Sequence, residues 1–172
     1  MKKIYAIIFA VTLLAFSFTA YQGKASDVTT TEDLTESMDE TTEEEKSLCV
    51  TIYTPNDNVD GLNETDVEVP ELNEFVILYE LVEAKVIKEG TQINHFEKIT
   101  ENGKEYLVFD FNEKMGELLN SYGSSGEYVT MASIANTFLK AYDADFFKFT
   151  INGEIFESGH IIYDEPIGFS GF

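Results

Sequence analysis

The sequence predicts an α+β domain: a mostly antiparallel sheet with two helix–hairpin units, the helices packed on one face. Three observations lead there. The octet Phe-x-Lys-x-Thr-x-Asn-Gly is written twice, at Phe96–Gly103 and again at Phe146–Gly153. Asn-Gly between alternating runs marks a type I′ hairpin turn, which needs φ > 0 at both central residues. Each octet is preceded by an apolar stripe at helical spacing.

The elements follow in order. Leu48–Thr54 alternates and is rich in β-branched and aromatic residues, which predicts a strand. Pro55–Pro70 reads as loop. Glu71–Ile87 carries apolar residues at 72, 75, 76, 79, 82 and 86, one face of a helix that Gly90 closes. The first hairpin spans 92–101 and 104–111. Glu113–Asn120 is a short helix. Ser124-x-x-Glu127 has the form of a capping box. It opens a third helix with Val129, Met131, Ala132, Ala135, Phe138, Leu139 and Tyr142 on one stripe. The second hairpin spans 145–151 and 154–158.

Three domains of composition are expected. Residues 1–25 read as a secretory signal: Lys2 and Lys3, an apolar run from Ile4 to Ala20, and small residues at Gly23 and Ala25. Left uncleaved, the run would serve as a signal anchor. Residues 26–46 hold nine acids and one Lys, with few large apolar groups. Such a segment cannot bury enough surface to offset its ordering entropy and reads as a disordered, self-repelling tether. Residues 47–172 form the folded domain. The expected location is therefore extracytoplasmic: secreted, or anchored at the outer face of the cytoplasmic membrane.

Charge narrows the partners. The chain has 32 acids against 11 bases, every base a Lys. Without an Arg fork for phosphate or base edges, and with this excess of negative charge, nucleic acid is not an expected partner. A lipoprotein signal needs a Cys just after the apolar run, whereas the single Cys is Cys49, inside the first strand. It reads as a small core or edge-strand residue, and one Cys forms no internal disulfide.

Reactive constellations are sparse. A two-residue turn in the first hairpin sets Glu101 opposite Lys104, Ile99 opposite Tyr106, Phe96 opposite Phe109 and His95 opposite Asp110. The last pair has the form of a general base with its orienting carboxylate, or of a plain surface pair. His160, the other histidine, has no neighbouring ligand pattern. Asn56-x-Asn58-x-Asp60-Gly61 resembles the start of a calcium loop, but Val67 stands where a bidentate Glu is required. Asn63-Glu64-Thr65 is a formal sequon. Gly123-Ser124-Ser125-Gly126 before a helix offers free N–H groups to an anion, but lacks a P-loop Lys. No catalytic, cofactor-binding or metal residue is assigned, and no cofactor is expected. An envelope hydrolase using Asp110, His95 or Glu127, and a calcium-dependent adhesion module using Asn56–Asp66, are the alternatives.

Three segments carry a resemblance to a known family. Lys88-Glu-Gly-Thr-Gln-Ile93 takes the place of a P-x-G-T turn after the first helix. Leu107-Val-Phe-Asp-Phe-Asn112 resembles a V-D-L-S strand end. Gly126-Glu127, leading to Ser133-Ile-Ala-Asn-Thr-Phe-Leu139 and then Phe147-Lys-Phe-Thr-Ile-Asn-Gly153, resembles E…SLVNTL…V-x-F-x-V-D-G. Together, over about Leu48–Ser158, they resemble the GerM domain of Gram-positive sporulation and spore germination. The resemblance implies a shape related to ring-building modules of envelope complexes. It also implies a non-catalytic binding or assembly role, with an envelope protein, a cell-wall component or further copies of itself as partner.

Overall fold

The computed structural model describes residues 47–171. The expected signal and tether, residues 1–46, lie outside the described residues. The element order is β1 (Leu48–Pro55), β2 (Leu62–Val69), α1 (Glu74–Glu83), β3 (Ile93–Glu101), β4 (Lys104–Phe111), α2 (Glu113–Leu119), α3 (Ser124–Tyr142), β5 (Phe146–Ile151) and β6 (Ile167–Gly168). The α+β class holds. β1 and β2 form a two-stranded ribbon, and the other four strands lie in the order β3-β4-β5-β6. All pairings are antiparallel except β4–β5, which is parallel. That exception follows from its connection: α2 and α3 carry the chain across, and a crossover of this length returns a strand in the same direction.

The first hairpin has the expected register, with Glu101 opposite Lys104, Phe96 opposite Phe109 and His95 opposite Asp110. Its turn has φ 52° at Asn102 and 76° at Gly103. The second octet makes the same turn, with φ 50° at Asn152 and 82° at Gly153. The expected second hairpin does not follow it. After a single bridge between Ile151 and Glu154 the chain leaves the sheet. Phe156 is drawn towards the core, its ring 6.3 Å from Phe149 and 6.0 Å from Tyr163. The backbone then satisfies itself: Tyr163 N–H donates to Phe156 O, and Ser158 N–H to Ile161 O, each at 2.9 Å. Burying an aromatic ring outweighs extending a ladder when the same peptide groups find other partners.

The Pro55–Pro70 loop is corrected as well, because Leu62–Val69 is a strand paired along its length with β1. Its sequence hid it. Asn63, Glu64, Thr65, Asp66 and Glu68 are all exposed, so it lacks the alternation of a half-buried strand. Such a charged outer strand blunts edge-to-edge pairing. The first helix is shorter than expected. Asn73 caps it by accepting from Phe75 N–H at 2.8 Å. It stops at Lys85, not at Gly90: Lys85 takes φ 62°, while Val86 N–H reaches Leu81 O and Lys85 N–H reaches Val82 O. That pattern is a Schellman cap, and it buries Val86 and Ile87 just beyond the helix.

The core face of the four-stranded sheet is aromatic. Phe109 is fully buried, with ring centres 4.6 Å from Phe96 and Phe138, 5.0 Å from Phe147 and 5.5 Å from Phe111. α3 lies across this face and was expected to bury one stripe. Instead it is buried all round from Val129 to Leu139. Its second face is polar and receives the ribbon and the C-terminal segment. Thr137 Oγ1 accepts from Tyr53 N–H at 3.0 Å. The Asn136 amide donates to Ser170 O at 2.8 Å and accepts from Ser170 N–H at 2.9 Å. α2 and α3 pack on the sheet, α1 packs against α3, and the ribbon adds a further layer over α3.

Candidate functional site

Asp110 gathers polar groups at the junction of the two octets. Its Oδ1 accepts from Thr150 Oγ1 at 2.6 Å and from Gly153 N–H at 2.7 Å, and its Oδ2 accepts from Asn94 Nδ2 at 2.9 Å. Burial alone would raise this carboxyl. The hydrogen bonds from Thr150, Gly153 and Asn94, with the field of His95, hold it below its ordinary value. His95 is exposed and leans to Glu97, its Nε2 4.0 Å from Oε2. The strand register therefore brings the two residues opposite each other, but the chemistry expected of a dyad is not assembled. Asp110 spends its acceptors on holding the second Asn-Gly turn against β4. This carboxylate clasp ties β4 to the second Asn-Gly turn.

The other sequence candidates are scattered. Asn56 and Asp60 bond each other across the β1–β2 turn at 2.8 and 3.1 Å. Asp66, the far end of the calcium stretch, sits in β2 and accepts from Thr51 at 2.8 Å. The stretch is therefore the β1–β2 turn and the first part of β2. Cys49 is exposed on β1. His160 is exposed beside the Ser158 turn, and Asn63 is exposed on β2. The capping box is not formed: Gly123 is the N-cap of α3, without a side-chain cap bond. Among the described residues, no group of three or more His, Cys, Asp or Glu is arranged to hold a metal ion. No helix among them is long and apolar enough to cross a membrane.

Glu127 is drawn inward instead. It is fully buried on the first turns of α3, and its Oε1 accepts from the Tyr163 hydroxyl at 2.9 Å. Burial, and then the bond to Glu127, push the Tyr163 hydroxyl far above the usual tyrosine range. Glu127 Oε2 has no hydrogen-bond partner. Replacing Tyr163 by Phe removes the donor to Glu127 Oε1 and leaves this buried carboxyl oxygen unsatisfied as well, a loss of about 2 kcal/mol. Urea unfolding should show the midpoint fall, and an unchanged midpoint would mean that the bond carries no stability.

The Tyr163 ring also helps to line an apolar pocket of about 300 Å³ between α3 and the C-terminal segment. Met131 and Ala132 come from α3; Ile161, Ile162 and Pro166 come from the segment. Ile162 is 55% exposed at the rim. The Asn136–Ser170 bonds tie down the far end of this wall. The pocket was missed from sequence because its walls lie some 30 residues apart. The signal was there in Ile161-Ile162-Tyr163, an apolar run after the Gly159 break.

No known protein family and no curated protein matches the chain. Among solved structures it is similar to a candidate lipoprotein of Clostridium perfringens, at 12% identity and a TM-score of 0.42, over 71% of this chain and 87% of that one. A likeness of that degree says nothing about function.

Proposed function

We propose that the chain is a non-catalytic binding and assembly domain of the bacterial envelope, acting outside the cytoplasm as a distant GerM relative in sporulation or spore germination. The observation that carries the binding role is the solvent-open apolar pocket between α3 and the C-terminal segment. Its size suits a small apolar group or one or two apolar side chains of a partner. The signal-like N-terminus supports the location, and the three GerM-like segments support the context. Asp110's engagement with Thr150, Gly153 and Asn94 speaks against the hydrolase alternative.

The intact chain, incubated with washed envelope of its source cells, should be retained. Ile162→Glu puts a charge on the pocket rim without touching the core and should cut retention at least tenfold, about 1.4 kcal/mol. His95→Ala should be retained like the native chain. Loss of retention with His95→Ala but not with Ile162→Glu would sink this reading.

A further inference from the structure

The outward face of α1 is a second and separate surface. The helix reads Glu-Phe-Val-Ile-Leu-Tyr-Glu-Leu-Val-Glu and is apolar nearly all round, yet it buries only Ile77, Leu78 and Leu81. A helix of that composition is ordinarily covered on every side. Here Phe75 is 55% exposed, Tyr79 59% and Leu72 42%. Phe75 and Tyr79, four residues apart, share one helical face, and Leu72 lies just before the N-cap Asn73 at its N-terminal end. The stripe runs on into a hollow of about 320 Å³, where Leu72 meets Leu48, Val50 and Ala141. Aromatic side chains that bury large areas dominate protein–protein anchors.

Charge decides what fits. Glu74, Glu80 and Glu83 lie on the helix and Glu71 just before it, no base lies in its last turn, and Lys85 and Lys88 follow beyond its end, so acids outnumber bases around this face. The base nearest the hollow, Lys140, is already engaged, 3.6 Å from Glu64 and 3.3 Å from Tyr53 Oη. A second copy would set the same four acids against their like, and residues 26–46 of this chain are themselves strongly acidic. A membrane surface rich in anionic lipid is disfavoured by the same signs. We infer that the α1 face docks a basic amphipathic segment of another protein, apolar groups seated on Leu72, Phe75 and Tyr79 and Lys or Arg side chains meeting the flanking glutamates.

The probe is a fluorescein-labelled Leu/Lys amphipathic peptide of about 18 residues, five helical turns, titrated with the intact chain and followed by anisotropy. Phe75→Ala with Tyr79→Ala keeps helix propensity and should weaken binding at least tenfold at an unchanged circular dichroism spectrum. Glu71→Gln with Glu83→Gln should weaken it less and flatten its salt dependence. Ile162→Glu should bind as the native chain does, which separates this surface from the pocket. The proposal is overturned by any of three results: native affinity in the Phe75/Tyr79 variant, equal affinity for a Leu/Glu peptide, or a dimer in light scattering that this variant abolishes, since a second copy would then own the face.

Discussion

Phe109→Ala is expected to destabilise the domain by about 4 kcal/mol, the scale for emptying a buried aromatic site. Phe109 lies where the two halves of the fold meet. Its ring packs on Phe96 of β3, Phe111 of its own strand, Phe138 of α3 and Phe147 of β5. All of these except Phe96 are fully buried. Phe96 alone among them is partly exposed, and the closely packed remainder is expected to keep most of the cavity term. Against a typical stability of about 5–15 kcal/mol, such a loss leaves the protein marginal. Denaturant unfolding reads it directly. A loss below about 1 kcal/mol would mean that the aromatic cluster repacks and is not the centre of the core.

Asp110→Ala is expected to lose about 2 kcal/mol, less than three charge-assisted bonds suggest, because the site is partly open to water. The chain beyond β5 should be affected most. Gly153 N–H and Thr150 Oγ1 both lose their acceptor, so amide exchange should rise around Asn152–Gly153. The pH dependence has a definite sign. The folded pKa of Asp110 lies below the ordinary value of 3.8, so the unfolded chain binds the proton more readily. The contribution is therefore complete above the ordinary carboxylate range and is lost as pH falls through the lowered folded value. Asp145 shifts in the same direction, chiefly through its hydrogen bond from Lys104. Acid titration of the native chain should thus show a steeper loss of stability below about pH 4 than titration of Asp110→Ala. Parallel curves would contradict the clasp.

Local signals were legible in the sequence. Asn102-Gly103 and Asn152-Gly153 each produced the turn their φ preference dictates, and the first one fixed the strand register residue by residue. The limits of α3 could be read from Ser124 to Tyr142. What failed had long-range causes. The strand expected after Gly153 was lost because Phe156 has a better place against Phe149 and Tyr163 than on a sheet edge. β2 was hidden because its outward positions are polar and exposed on a ribbon that relies on β1. Glu127 was named for a cap it does not make; its burial depends on Tyr163, 36 residues later. Of the candidate sites, His95 and Asp110 were correctly placed opposite each other. Their roles differ because Asn94, Thr150 and Gly153 converge on the carboxylate. The pocket is a property of packing, visible only once α3 and the C-terminal segment are together. The stripe read on the first helix was legible but misassigned: Leu72, Phe75 and Tyr79 are exposed, and the helix buries Ile77, Leu78 and Leu81 instead.

The apolar pocket between α3 and the C-terminal segment is the proposed binding site. Its most direct test is equilibrium titration of the intact chain with Nile red, a neutral apolar fluorophore, beside the Ile162→Glu and Phe75→Ala variants. The predicted result is saturable fluorescence enhancement in the native chain, kept by Phe75→Ala and weakened at least tenfold by Ile162→Glu at an unchanged melting temperature. Native affinity in Ile162→Glu would contradict it.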